Sequence, residues 1–283
     1  MRTIIWFGPW AVLLLAGLGC GDDFSPASYL DDLRVLAIEA DPLEAGPGER
    51  VRLVPRIWAP ADVDIAEQSW AFCPFHLGSA RAYACAAPGC ERGVEPDPDG
   101  RIEAEPFAWA MECAEQAGGG DFLPEQLPEK VDVLFTYTVS DSSGFSRRAV
   151  LSYPVYTSEL PESRNTAPRI AWLSLAGVAL EPGEAIEPVG PEEVVAIRVQ
   201  VDESSLDSYV DEAGEERVEE PIVSFYTTAG RLDYDRDAGV LSANTFKAVE
   251  LLPDQEAAEI YVVIRDLRGG QSLSGPYVIP LDR

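Results

Sequence analysis

Short apolar alternations, turn chemistry recurring about every 8 to 12 residues, and one turn signature present in each half predict an all-β chain of two tandem β-sandwich domains. The chain has 283 residues, is 46% hydrophobic and carries 10 Phe, 10 Tyr and 6 Trp, which excludes a disordered chain and suits two ordinary cores.

In chain order, residues 1–19 read as a signal peptide: Arg2, an apolar run from Ile4 to Leu18 interrupted by Pro9, then Leu15-Ala16-Gly17-Leu18-Gly19 ahead of Cys20. The run is too short to span a bilayer, which needs about 20 helical residues. This stretch resembles a bacterial lipoprotein signal, with Leu18 one place later than usual. The resemblance implies cleavage before Cys20, a diacylglycerol on its thiol and an acyl chain on its amino group, which together meet the two-anchor condition for stable membrane residence. Residues 20–30 become a lipidated tether. Gly21, rather than Asp, follows the cysteine, which in the sorting logic of such proteins implies the outer membrane rather than the inner.

The first domain is expected at 31–157. Strand patterns run over Arg34 to Ala40, Arg50 to Trp58 with Val51, Leu53 and Ile57 on one face, Gln68 to Phe75, Val131 to Ser140, and Phe145 to Tyr156. A turn-rich crossing from Asp41 to Gly48 separates the first two. Pro106 to Gln116 is the helix candidate, ended by Gly118-Gly119-Gly120, inside an insertion spanning 73–113. A linker follows at 158–168, where Ser, Thr, Pro, Glu and Asn displace the apolar alternation.

The second domain is expected at 169–283. Its strands are Ile170 to Leu175, Val194 to Val201, Ile222 to Thr228, Thr245 to Leu251, Glu259 to Asp266 and Gln271 to Pro280, with Asp202 to Glu220 a strongly acidic loop or irregular hairpin. The halves match internally. Val139-Ser140-Asp141-Ser142-Ser143-Gly144 and Ile264-Arg265-Asp266-Leu267-Arg268-Gly269 place an apolar residue, an Asp and a Gly at one spacing between two strands. An Asp that opens a turn and a Gly able to take positive φ are what a tight hairpin requires. Pro47-Gly48-Glu49 and Pro182-Gly183-Glu184 repeat a crossing, and Ser69-Trp70 and Ser224-Phe225 repeat an aromatic strand. About seven strands per half reads as immunoglobulin-like. With Cys20, these motifs resemble bacterial envelope lipoproteins bearing tandem immunoglobulin-like or PKD-like domains, a resemblance that implies location and architecture and supplies no active site.

Cys73, Cys85, Cys90 and Cys113 form an even set, with 11, 4 and 22 residues between successive members, in a chain marked for an oxidising compartment. Two disulfides are expected. Three pairings are open; Cys85 with Cys90 across a tight turn and Cys73 with Cys113 at the ends of the insertion are favoured. A zinc site would need closer pairs and a second His.

Forty-nine acidic residues against 21 basic ones give a formal charge of −28, so surface charge excludes nucleic acid as a partner. No cofactor motif is present. His76, the single histidine, lacks a Gly-x-Ser-x-Gly elbow to serve, so an envelope hydrolase ranks third among the readings. Asp233, Asp235 and Asp237 alternate as calcium ligands do, but Gly239 and Asn244 fall out of the required places. Trp70 and Trp172 lie on strands and are expected in cores; Trp58 and Trp109 are the exposed aromatic candidates for a glycan platform. The leading expectation is a non-enzymatic, lipid-anchored envelope protein acting as a spacer and interaction module for an envelope protein partner, with the first domain nearer the membrane. A carbohydrate-binding or calcium-dependent adhesion module is the alternative.

Overall fold

A computed structural model describes residues 26–118, 128–158, 160–161, 163–210, 213–249, 251 and 255–282. Cys20 and residues 1–19, expected to be a signal peptide, lie outside the described part.

Two hydrophobic cores organise the chain. In the first half the strands are β1 (Arg34–Asp41), β2 (Val51–Trp58), β3 (Ile65–Cys73), β4 (Arg92–Val94) and β5 (Ile102–Ala104), then helix α1 (Pro106–Gly118), then β6 (Lys130–Asp141) and β7 (Ser146–Tyr156). They form a sheet β1-β2-β5 facing a sheet β4-β3-β6-β7. Inward residues from both sheets, among them Val51, Leu53, Trp70, Phe72, Phe135, Tyr137 and Tyr153, pack the space between. Period-two alternation puts such residues on one face of each strand. Trp70 tilts against Tyr137 at 4.8 Å and donates its indole N–H to Gly100 O at 2.8 Å, so the only polar atom of this buried ring is satisfied.

The second half contains β8 (Ile170–Leu175), β9 (Val178–Leu180), β10 (Val194–Val201), β11 (Ser208–Val210), β12 (Glu216–Val218), β13 (Ile222–Thr227), β14 (Arg231–Leu232), β15 (Arg236–Ala238), β16 (Leu241–Lys247), β17 (Ala257–Arg265) and β18 (Gln271–Pro280). Sheet β14-β16-β10-β8-β9 faces sheet β15-β13-β17-β18. Each half therefore has the same plan, with first, second and fifth principal strands in one sheet and the short fourth, third, sixth and seventh in the other. The acidic excursion contains the antiparallel pair β11-β12.

The repeated motifs have the same structure in both halves. Glu49 Oε2 accepts from Gly46 N–H at 3.1 Å, and Glu184 Oε2 accepts from Glu181 N–H at 2.8 Å, each closing a turn whose Gly48 or Gly183 takes φ of 79° or 92°. Pro followed by a residue of positive φ is the signature of a type II turn.

One strand differs from expectation. Thr245 to Leu251 was the sequence pattern, whereas β16 is Leu241–Lys247. Its inward residues include Ser242 and Asn244, both buried, which break the apolar alternation that marks a strand. Asn244 is satisfied by donating to Tyr234 O at 2.8 Å and accepting from Tyr234 N–H at 3.2 Å.

The halves pack side by side. Leu30, Leu36, Ala37 and Val263 form a buried cluster, joined by Trp58, Tyr226, Tyr261 and Leu273, between β1 and the outer face of β13-β17-β18. Tether residues also belong to the second domain: Leu30 N–H donates to Thr227 O, and Thr227 N–H donates to Ser28 O, both at 2.8 Å. The linker is fastened too, by Arg164 to Glu49 at 2.6 Å and by Asn165.

Candidate interaction site

The cysteine-bearing insertion is clipped differently from the favoured pairing. Cys73 bonds Cys85, and Cys90 bonds Cys113. Cys73 ends β3, and the chain returns in a hairpin-like loop in which Ala86 N–H donates to Phe75 O at 2.6 Å and Leu77 N–H to Ala84 O at 2.9 Å. That return brings Cys85, rather than Cys113, to Cys73 with Cα atoms 5.7 Å apart, within the span a disulfide needs. α1 brings Cys113 to Cys90. Linear spacing carries no information on either return.

The first clip lays Tyr83 to Cys85 against the outer face of the β4-β3-β6-β7 sheet. There Leu134 and Thr136, on the solvent side of β6, are nonetheless buried. A groove of about 330 Å³ remains between loop and sheet, bordered by Tyr83, Glu91 and Arg148. The second clip holds α1 against β4 and leaves a groove of about 420 Å³ lined by Arg92, Trp109 and Glu112. Trp109 packs edge-on to Phe72 at 5.3 Å, and the Arg92 guanidinium covers its other side at 4.9 Å while bonding Glu112 at 3.1 Å. Trp109 is thus half-buried, as is Trp58, which packs in the junction cluster. Trp172, expected in the core, is 40% exposed on β8, because Leu173 and Leu175 take the inward positions of that strand.

The remaining candidate residues do not converge on one point. His76 Nδ1 accepts from Gly78 N–H at 3.1 Å and its ring sits by Tyr83, a loop-shaping role. Asp233 pairs with Lys247, Asp235 with Arg236 at 3.7 Å, and Asp237 accepts from Ala238 and Ala243 N–H groups. Among the described residues no three metal-ligating side chains cluster.

Sequence reasoning missed the polar junction between the halves. Buried Glu44 accepts from Asn165 N–H at 2.6 Å, and Asn165 Nδ2 donates to buried Asp266 at 3.0 Å. Asp266 Oδ1 accepts from Arg268 and Gly270 N–H groups at 2.7 and 2.8 Å, and Arg268 reaches buried Glu219 at 2.8 Å. Burial raises the Asp266 and Glu219 carboxyls above the usual range; the hydrogen bonds and Arg268 offset part of the shift. Burial, with Glu44 beside it, pushes the Tyr156 phenol up to about 12. The one available hint was Asp266 in the duplicated turn, though not its burial. Beside this network a cleft of about 460 Å³ opens between β1, β7 and the Leu267 to Gly270 turn.

No family model matches the chain, and no curated protein sequence matches it. Among solved structures, the D00-D0 domain of intimin aligns with 89% of this chain and 99% of its own at 8% identity and a TM-score of 0.23. Fibronectin(III)-like modules of Clostridium thermocellum CbhA give 87%, 94%, 8% and 0.27, and murine CEACAM1b gives 89%, 99%, 11% and 0.24. These superpositions are shallow, and the class rests on the strand order: the chain is a tandem of two immunoglobulin-like β-sandwiches.

Proposed function

We propose that this chain is a non-catalytic, lipid-anchored envelope protein and that its two sandwiches, locked side by side, act as a protein-interaction module. The observation that carries the reading is the insertion: one disulfide fixes its loop against the outer sheet face, and the other ties helix α1, whose Ala110 belongs to the first core, to the start of β4, so that the insertion presents a fixed contact surface. Disulfides belong to an oxidising compartment, in agreement with the export signal read at residues 1–19. The anchor is Cys20, the membrane is the outer one, and the partner is another envelope protein. Reach as a spacer is not part of this reading, since lateral packing shortens the molecule.

Crosslinking in intact producing cells, followed by capture and mass spectrometry, tests it. The native chain is expected to yield a discrete envelope complex that is lost with Cys20→Ser and with residues 74–86 replaced by a short turn. Unchanged capture by the loop replacement would remove the insertion as the contact surface; a Cys20→Ser chain that stays in the membrane fraction would remove the anchor. Glycan binding through exposed Trp172 is the second reading, checked by a glycan array against Trp172→Ala.

A further inference from the structure

The polarity of β7 can be read from its ends. Tyr156 N–H donates to Ala45 O at 2.8 Å and Pro154 O accepts from Ala45 N–H at 3.3 Å, both away from β6, whereas Thr157 N–H donates to Glu129 O on the β6 side. Pairing of β6 with β7 runs from Lys130↔Tyr156 to Ser140↔Ser146 without a bulge. Even-numbered residues of β7 therefore direct N–H and C=O outward, and Pro154, which has no N–H, occupies such an outward place as edge strands permit. Toward Ser152 the edge is closed by the second domain: a Cβ on Gly269 would stand 3.6 Å from Ser152 O. Val150 and Arg148 are left with outward backbone groups that have no backbone partner among the described residues. Val150 lines the 460 Å³ cleft, with Val35 and Leu36 of β1 as one wall and Leu267 at the opposite side. Leu267 is 74% exposed and held at φ 67°, an apolar side chain in a conformation that ordinary residues avoid.

We propose that this open edge accepts an extended segment of a partner polypeptide, which adds as a strand beside β7 and covers Leu267. The inference rests on the interaction-module reading and names a second contact on it, next to the insertion groove that Arg148 also borders. Main-chain groups of Arg148 and Val150 supply the ladder, and cross-strand neighbours supply the selectivity. The Arg148 guanidinium donates to Thr136 Oγ1 at 3.4 Å and has no carboxylate partner among the described residues. The incoming segment therefore carries an acidic residue opposite Arg148 and, two positions away on the same face, a Val or Ile opposite Val150. The open stretch ends against the Leu267 to Gly270 turn, so pairing is short, four or five residues, and reversible.

The test uses the full chain and a displayed library of random octapeptides. Selected peptides are expected to share the acidic-x-aliphatic spacing, to bind Val150→Thr as they bind the native chain, and to lose at least tenfold in affinity for Val150→Pro. That proline removes only an outward N–H, so the melting temperature should hold within a few degrees. Should Val150→Pro fail to fold, Arg148→Glu and peptides N-methylated at alternate residues replace it, each expected to weaken binding by the same factor. Peptides that bind all variants equally, or a library yielding no edge-dependent binder, overturn the proposal. Edge-dependent dimers in sedimentation without peptide also overturn it and give the edge to a second copy. Either failure leaves the Cys20 and insertion experiments standing, because those are scored by capture from cells with Arg148 and Val150 unchanged, whereas the edge is scored by peptide affinity.

Discussion

Asp141 and Asp266 occupy the same place in two copies of one turn and live in different environments. Asp141 is partly exposed, and the Ser143 hydroxyl, together with the Ser143 and Phe145 N–H groups it accepts from, holds its carboxyl below the usual range. Asp266 makes the equivalent bonds to Arg268 and Gly270 but is 3% exposed beneath the first domain. Asp266→Ala is therefore expected to cost about 2 kcal/mol or more, since it leaves buried N–H donors and Asn165 without an acceptor. Asp141→Ala is expected to cost distinctly less, because water replaces the lost acceptor. Urea titrations of the two variants check the ordering; equal losses would mean that the junction contributes nothing at this residue.

At the scale of elements, the disulfides decide the shape of the insertion. Loops of 12 and 23 residues' separation each imply about 3 kcal/mol of chain-entropy stabilisation, so Cys73→Ser with Cys85→Ser, or Cys90→Ser with Cys113→Ser, should lower stability by about that amount. The first pair should also raise amide exchange at residues 77–85 while leaving β6 protected. A non-reducing digest that links Cys85 to Cys90 would refute the pairing itself. Strand positions were largely legible here because β2, β6 and β7 alternate apolar and polar residues in sequence, while β1 is a short apolar run bounded by a turn. The short β4, β5, β9, β14 and β15 were not, since two or three residues give no measurable period.

For the whole molecule, the consequence of lateral docking is a compact particle. Scattering from residues 20–283 in solution should give a radius of gyration near the roughly 18 Å expected for one compact body of this length. Leu36→Glu, which places a charge in the junction cluster, should raise it by several ångströms; no change would show that the cluster does not hold the domains. The junction also responds to protons. Asp266 and Glu219 have folded-state carboxyls raised by burial, so the docked state binds more protons than the unfolded one, and the two groups cost stability at neutral pH. That cost is relieved as pH falls through the raised values toward the ordinary carboxylate range of about 4. Lowered carboxyls, Glu49 and Asp233 among them, act oppositely and lose their contribution below that range. Melting temperature should rise from about pH 7 to pH 5 and fall below about pH 4, with the upper slope abolished in Asp266→Asn with Glu219→Gln. A flat native profile across the upper window would refute the linkage.

The sequence by itself determined the β class, the principal strands, both duplicated turns and the even cysteine set, because alternation, Asp–Gly spacing and Pro-Gly-Glu are local and each is enforced by backbone geometry within a few residues. Which cysteines meet, which face of β8 carries Trp172, and that Ser28 to Leu30 join the second domain were decided only in tertiary structure. The same holds for Glu44, Asn165, Asp266, Arg268 and Glu219. They lie up to 224 positions apart in the chain, between Glu44 and Arg268, and acquire their burial and shifted titration only when one sandwich packs against the other.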